Sequence, residues 1–292
     1  MRLAVNTLLL ASLLLNACAS GGVDDGEVSE TTQSVTTQNK IALNKIALNK
    51  IALNQIALNK LALSDNADDL IATADGRDVL AYTLGCALPA SVTLVGTYAG
   101  VTYEFSGDIG LAPTWTQHAL TLRDQHWVSA CLLARVNAHN ISLLISLRGP
   151  ATALTVSASE ASAYTLQEAA FYGQLFVPDG TDLQAYACMG AAQAAGEPET
   201  GELHDRDCSE PDLERPGVTQ CGMTYVGPCA NFAQDPDGDD DERCNGHDPG
   251  IACEDHSWLG YFKDCHTQAS DANGRWPRHT ELDEVITVYL QN

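Results

Sequence analysis

The chain has 292 residues, of which 38 are acidic and 15 basic, so its formal net charge at pH 7 is −23. Hydrophobic residues make up 45% of it, a share that excludes a wholly disordered chain. The negative charge disfavours nucleic-acid binding, because an acidic protein repels the phosphate backbone.

The first segment has the pattern of an export signal. Arg2 precedes a short apolar run over residues 8–15, which is too short to span a bilayer as a helix. The run closes with Leu15-Asn16-Ala17-Cys18, which resembles the lipobox of bacterial lipoproteins. The resemblance implies a signal peptide over residues 1–17, a lipid on Cys18 as the membrane anchor, and a location in the cell envelope. Ala19 rather than Asp follows the cysteine, which favours the outer membrane.

Two segments of simple composition follow the proposed anchor. Residues 18–38 are small, polar and rich in Thr, which predicts a flexible tether. Residues 39–63 repeat with a period of five, as NKIAL or a close variant. This repeat resembles pentapeptide-repeat proteins, which coil into a four-sided β-helix, but Ile stands where that family has a small residue. The alternatives are a helix, a segment docked onto the following domain, a spacer, a self-association segment and a segment lying on anionic lipid.

Residues 65–292 have the composition of a folded, Cys-rich globular domain. Apolar spacing predicts helices over residues 78–88 and 124–137, with Asp124 near the start of the second. The predicted strands cover residues 91–95 and 101–105, joined as a hairpin across residues 97–100, and then 141–147, 183–189 and 284–290. Strands mixed with helices indicate an α+β fold: a small mixed sheet with two or three helices and a loop-rich C-terminal region.

The C-terminal third carries most of the charge and most of the cysteines. Residues 197–292 hold 22 acidic and 6 basic side chains, a net of −16. Nine cysteines remain once Cys18 is set aside, and in an exported chain they predict a disulfide framework. They are Cys86, Cys131, Cys188, Cys208, Cys221, Cys229, Cys244, Cys253 and Cys265.

The pairing of these cysteines does not follow from the sequence, although three pairs suggest themselves. Cys86 and Cys131 lie on the two predicted helices and would link them. Cys188 with Cys208, and Cys221 with Cys229, are close enough in sequence to close acidic loops. Because nine is odd, one thiol should be free or bonded to another chain.

Two metal sites compete with the simple disulfide interpretation. Cys244, His247, Cys253 and His256 form two C-x2-H pairs, a ligand set that suits tetrahedral zinc. Alternating carboxylates indicate a calcium loop instead, or only a solvated acidic loop. These carboxylates belong to Asp235, Asp237, Asp239 and Asp241.

The sequence assigns no chemistry to the chain. It contains no G-x-S-x-G, H-E-x-x-H or G-x-x-x-x-G-K-[ST] motif. The chain resembles uncharacterised Cys-rich envelope lipoproteins of bacteria, a resemblance that implies a location but no activity. We therefore expect a lipoprotein that displays a disulfide-stabilised binding or structural domain, with a protein or surface partner and no nucleic acid. A lipid-anchored hydrolase without a local motif, or a calcium- or zinc-binding surface module, is the alternative.

Overall fold

The structure is a computed structural model that describes residues 36–39, 70–137, 139, 142–178, 181–195, 206, 208, 211–230, 252–256, 260–268 and 281–291. The calcium candidates, the zinc candidates Cys244 and His247, the signal segment and all of the repeat except Asn39 lie outside these residues. Within the described residues, no helix is both long enough and apolar enough to cross a membrane.

The described residues form an α+β fold, as the sequence predicted. The strands are β1 (Thr36–Asn39), β2 (Thr93–Tyr98), β3 (Val101–Ser106), β4 (Leu143–Arg148), β5 (Tyr164–Gln174), β6 (Gln184–Met189), β7 (Thr224–Pro228), β8 (Glu254–His256), β9 (Tyr261–Lys263), β10 (Cys265–His266), β11 (Glu281–Leu282) and β12 (Ile286–Gln291). The helices are α1 (Ala74–Ala87), α2 (Leu122–Ala134), α3 (Ala158–Ala163) and α4 (Ala191–Ala194). Four described helices stand where two or three were expected, because α3 and α4 have only six and four residues and leave no periodic pattern.

The main sheet has six strands in the order β1-β4-β12-β5-β6-β7. All its described pairs are antiparallel except β6 and β7, which run parallel, so the sheet is mixed as predicted. The central strand β5 was missed, because it is buried on both faces and its sequence shows no alternation of apolar and polar residues. The edge strand β1 pairs with β4, so residues 36–38 of the predicted tether and Asn39 of the predicted repeat belong to the sheet.

Local signals account for the elements that the sequence located. In α2, Thr121 and Asp124 form a reciprocal capping box, so the helix begins at Leu122. The hairpin turn between β2 and β3 consists of Ala99 and Gly100, both at positive φ, which matches the right-handed twist of the paired strands. The turn is thus shorter than the four residues expected, and the strands end later.

The sheet separates two apolar clusters, and β5 contributes to both. Ala169 and Phe171 belong to the larger cluster, which also contains the buried sides of α1 and α2. Ala170 and Tyr172 belong to the smaller cluster. Successive residues of a strand face opposite sides of its sheet, so this one strand supports both clusters.

Candidate functional site

Eight cysteines form four disulfides in the described part of the chain. These are Cys86–Cys131, Cys188–Cys229, Cys208–Cys221 and Cys253–Cys265. The prediction that Cys86 and Cys131 link the two long helices is confirmed.

The other two suggested pairs, Cys188 with Cys208 and Cys221 with Cys229, are wrong. Parallel pairing of β6 with β7 brings Cys229 next to Cys188, and the amide N–H of Cys229 donates to the carbonyl of Met189. Sheet topology, rather than proximity along the chain, therefore decides this disulfide.

The disulfide framework also bears on the zinc hypothesis. Cys253 is bonded to Cys265, so its sulfur is not a free thiolate in this structure. His256 ends β8, while the other two proposed ligands lie outside the described residues. Of the four predicted ligands, two therefore lie outside the described residues and a third is a disulfide sulfur in this structure.

An open cavity of about 610 Å³ lies beside the end of β4. It is lined by Arg148, by Thr152, Thr155 and Ser157 from the segment that leads into α3, by Ala161 of α3, and by Tyr261 of β9. This volume falls within the range of small-molecule sites, about 300–1,000 Å³. One continuous segment, residues 148–161, thus lines most of the cavity with one cation and several hydroxyl groups, and the distant Tyr261 completes it.

Arg148 is held firmly in the wall of this cavity. Its side chain is 9% exposed, its Nη2 donates to the carbonyl of Tyr164 at 2.6 Å, and its Nε lies 3.5 Å from Oγ of Ser146. The guanidinium stacks on the Tyr289 ring, 3.5 Å from the ring centroid. Tyr289 is also a hydrogen-bond partner of the guanidinium. A guanidinium carries five N–H donors, so these contacts do not use all of them.

The charge of Arg148 is costly in this position. Burial lowers the pKa of the guanidinium, and the nearby Tyr289 and Glu160 side chains oppose that shift only in part. An anion placed against Arg148 would offset the cost of burying its charge. The chemistry of the cavity therefore favours a ligand with a carboxylate or another small anionic group, next to hydroxyl groups that can accept or donate hydrogen bonds.

Sequence reasoning did not single out Arg148. The available signal was an arginine at the end of an apolar strand, immediately before Gly149 and Pro150. Such a position turns the chain and places a cation at the end of a buried strand. Neither feature, however, shows that Tyr261 of the distant strand β9 completes the cavity.

A second polar group joins α2 to Glu284, which lies two residues before β12. One oxygen of Glu284 lies 3.1 Å from Nδ1 of His126, and the other lies 3.3 Å from Nε of Arg123. Glu284 therefore contacts two basic side chains. Cys131, the cysteine nearest to His126 in sequence, is bonded to Cys86 and supplies no nucleophilic thiol.

Comparison of the chain with protein-family models, with curated proteins and with solved structures finds no match.

Proposed function

We propose that this chain is an exported, lipid-anchored protein of the cell envelope whose disulfide-linked domain binds a small anionic ligand. The observation that carries the binding proposal is the cavity of about 610 Å³ beside the buried guanidinium of Arg148. The membrane anchor rests on the sequence at Cys18, and the outer membrane is its proposed location.

The four disulfides support export. Structural disulfides form and persist in oxidising compartments and are rare where thiols are kept reduced. Each of the four joins buried sulfurs within the apolar clusters, so the fold itself depends on oxidation. A protein displayed outside the cytoplasm benefits from such cross-links, because they lower the conformational entropy of the unfolded chain.

The lining of the cavity supports a ligand class. Arg148 supplies a cation, and Ala161 belongs to the part of α3 that lines the cavity. Polar contacts come from the hydroxyl groups of Thr152, Thr155 and Ser157. Arginine recognises carboxylate and phosphate groups with paired N–H donors. The overall charge of −23 repels anions at long range, so specificity for an anion has to come from this local site.

The anchor is tested by metabolic labelling. Cells that express the full chain and receive a clickable fatty acid should yield a labelled protein, and the Cys18→Ser variant should lose the label. Equal labelling of both proteins would refute the anchor without affecting the binding proposal.

Binding is tested on the full-length protein, purified from membranes in detergent. Thermal unfolding is measured against short aliphatic and aromatic carboxylates, their matched primary amides, and phosphate monoesters. A ligand that binds only the native state stabilises it by about 2.7 kcal/mol at a hundredfold excess over Kd. Carboxylates or phosphate monoesters should raise Tm, and the uncharged amides should not. Comparing the carboxylates with the phosphate monoesters shows which anionic group the cavity binds.

Two variants on α3 provide a matched pair. Ala161 and Ala163 are both exposed, but only Ala161 lines the cavity. Ala161→Trp should abolish the shift in Tm by filling the cavity, while Ala163→Trp should retain it. No shift with any anion, or the same shift in both variants, would refute the site. Turnover of an ester or peptide that is lost only in Ala161→Trp would favour the hydrolase alternative.

A further inference from the structure

Two of the disulfides touch each other through their sulfur atoms. Sγ of Cys188 lies 3.3 Å from Sγ of Cys253, although each is bonded to a different partner. Non-bonded carbon atoms sit at about 3.5–4.0 Å at their optimum, so this is direct contact. The sulfur of Cys229 lies within 4.8 Å of both.

Backbone hydrogen bonds hold this sulfur cluster, which consists of Cys188, Cys229, Cys253 and Cys265. The amide N–H of Cys229 donates to the carbonyl of Met189, and that of Cys253 donates to the carbonyl of Cys229. All four cysteines belong to the smaller apolar cluster and are at most 4% exposed. A change of sulfur partner within this cluster therefore requires little movement of the backbone.

The disulfide between Cys208 and Cys221 has different surroundings. Its sulfurs lie near backbone carbonyls, 3.2 Å from that of Val136 and 3.7 Å from that of Arg206. Carbonyl oxygens cannot take part in thiol–disulfide exchange. This disulfide is accordingly a matched control for the sulfur cluster.

We propose that the sulfur cluster is a thiol–disulfide exchange centre, in which Cys188 and Cys253 form an alternative disulfide once one of the two native bonds is opened. An external dithiol reduces Cys188–Cys229 to two thiols and is itself oxidised to a disulfide. The Cys188 thiolate then attacks Sγ of Cys253, so that the Cys188–Cys253 bond forms as Cys253–Cys265 breaks. Cys265 leaves as a thiolate and takes up the proton that Cys188 lost.

The exchange moves a free thiol from one part of the fold to another. After the step, Cys229 and Cys265 carry the two thiols, and β10 is no longer linked to the residue before β8. Reduction near the end of β7 is thereby transmitted to the segment between Cys253 and Cys265. This proposal requires only that the disulfides form, and it depends on neither the lipid anchor nor the cavity.

The test uses the full chain with Cys229→Ser, which frees Cys188 without any reductant. All proteins also carry Cys244→Ser, so that the remaining odd cysteine does not contribute a thiol. After incubation at pH 8.5, near the ordinary pKa of a thiol, free thiols are trapped with N-ethylmaleimide and located by peptide mass spectrometry. The label should divide between Cys188 and Cys265, with more than about a tenth on Cys265, and a Cys188–Cys253 peptide should appear.

The matched control is Cys221→Ser in the same background, which frees Cys208. Its label should stay on Cys208, since the contacts of that disulfide are carbonyl oxygens. If Cys229→Ser does not fold, as judged by near-UV circular dichroism, Cys265→Ser is used instead. It frees Cys253, and the label should then divide between Cys253 and Cys229. Label confined to the directly freed cysteine in the folded variant would refute the exchange centre.

Discussion

The ion pair between Arg206 and Glu168 provides a sharp test of how the larger apolar cluster is stabilised. Nε of Arg206 lies 2.6 Å from Oε1 of Glu168, and the two side chains are 0% and 1% exposed. Nη2 of Arg206 donates to the carbonyl of Ala134, and the guanidinium lies 5.1 Å from the centroid of the Phe171 ring. Burial lowers the pKa of Arg206 and the Glu168 carboxylate opposes that shift, so each charge depends on the other.

We expect Arg206→Met to destabilise the protein strongly. Removing one member of a buried ion pair costs about 3–5 kcal/mol, because the remaining charge stays buried without compensation. The carbonyl of Ala134 also loses a donor, which adds to the cost. Met is of similar length, so a large cavity does not form. At roughly 2–4 °C per kcal/mol for a domain of this size, Tm should fall by roughly 6–20 °C.

The matched control is Arg215→Met, which removes the same side chain from an exposed ion pair. Nε of Arg215 lies 2.5 Å from Oδ2 of Asp212, but the arginine side chain is 56% exposed. Exposed pairs contribute about 0–1 kcal/mol, so this variant should remain close to wild type.

The free energy of unfolding of each variant is measured in guanidinium chloride at pH 7 without reductant, with tryptophan fluorescence as the signal. The double variant Arg206→Met/Glu168→Leu should lose less stability than Arg206→Met, because no buried charge is left. If the free energies of unfolding of Arg206→Met and Arg215→Met differ by less than about 1 kcal/mol, the buried ion pair does not stabilise the fold as argued.

Three further predictions concern cross-links and titration. Replacing Cys86 and Cys131 together by Ala should lower the free energy of unfolding by about 4 kcal/mol, because this disulfide joins residues 45 apart and closes a long loop in the unfolded chain. A loss under about 1 kcal/mol in a denaturant titration would contradict this. With the proposed lipid on Cys18, the mature protein should react with one iodoacetamide per chain, at Cys244, because that lipid and the four disulfides account for the other nine cysteines; full labelling of a Cys244→Ala variant would count against it. Burial lowers the pKa of His266 in the folded protein, so as pH falls the imidazole is protonated in the unfolded chain first. The free energy of unfolding should therefore decrease as pH drops below about 6.5, the ordinary pKa of histidine. Urea titrations should show a shallower fall for His266→Gln, and identical pH profiles would refute the assignment.

Features that depend on neighbouring residues could be predicted from the sequence alone. Asp124 was predicted near the start of a helix and is the capping-box residue of α2, and the predicted hairpin is present with Gly100 in its turn. The α+β class and the presence of a disulfide framework also followed from the sequence. The pairing did not, although the suggested link between Cys86 and Cys131 is present in the structure.

Which distant segments meet depends on the packing of the complete fold. Strand β12 pairs with β4 and β5, more than a hundred residues earlier in the chain, and β6 and β7 run parallel across a long connection. The disulfide from Cys188 to Cys229 and its contact with Cys253 depend on the pairing of β6 with β7. The cavity beside Arg148 is completed by Tyr261, more than a hundred residues later in the chain. A strand's own residues determine which of its faces can be buried, but its partner is selected by the packing of the whole sheet, and that selection leaves no local pattern in the sequence.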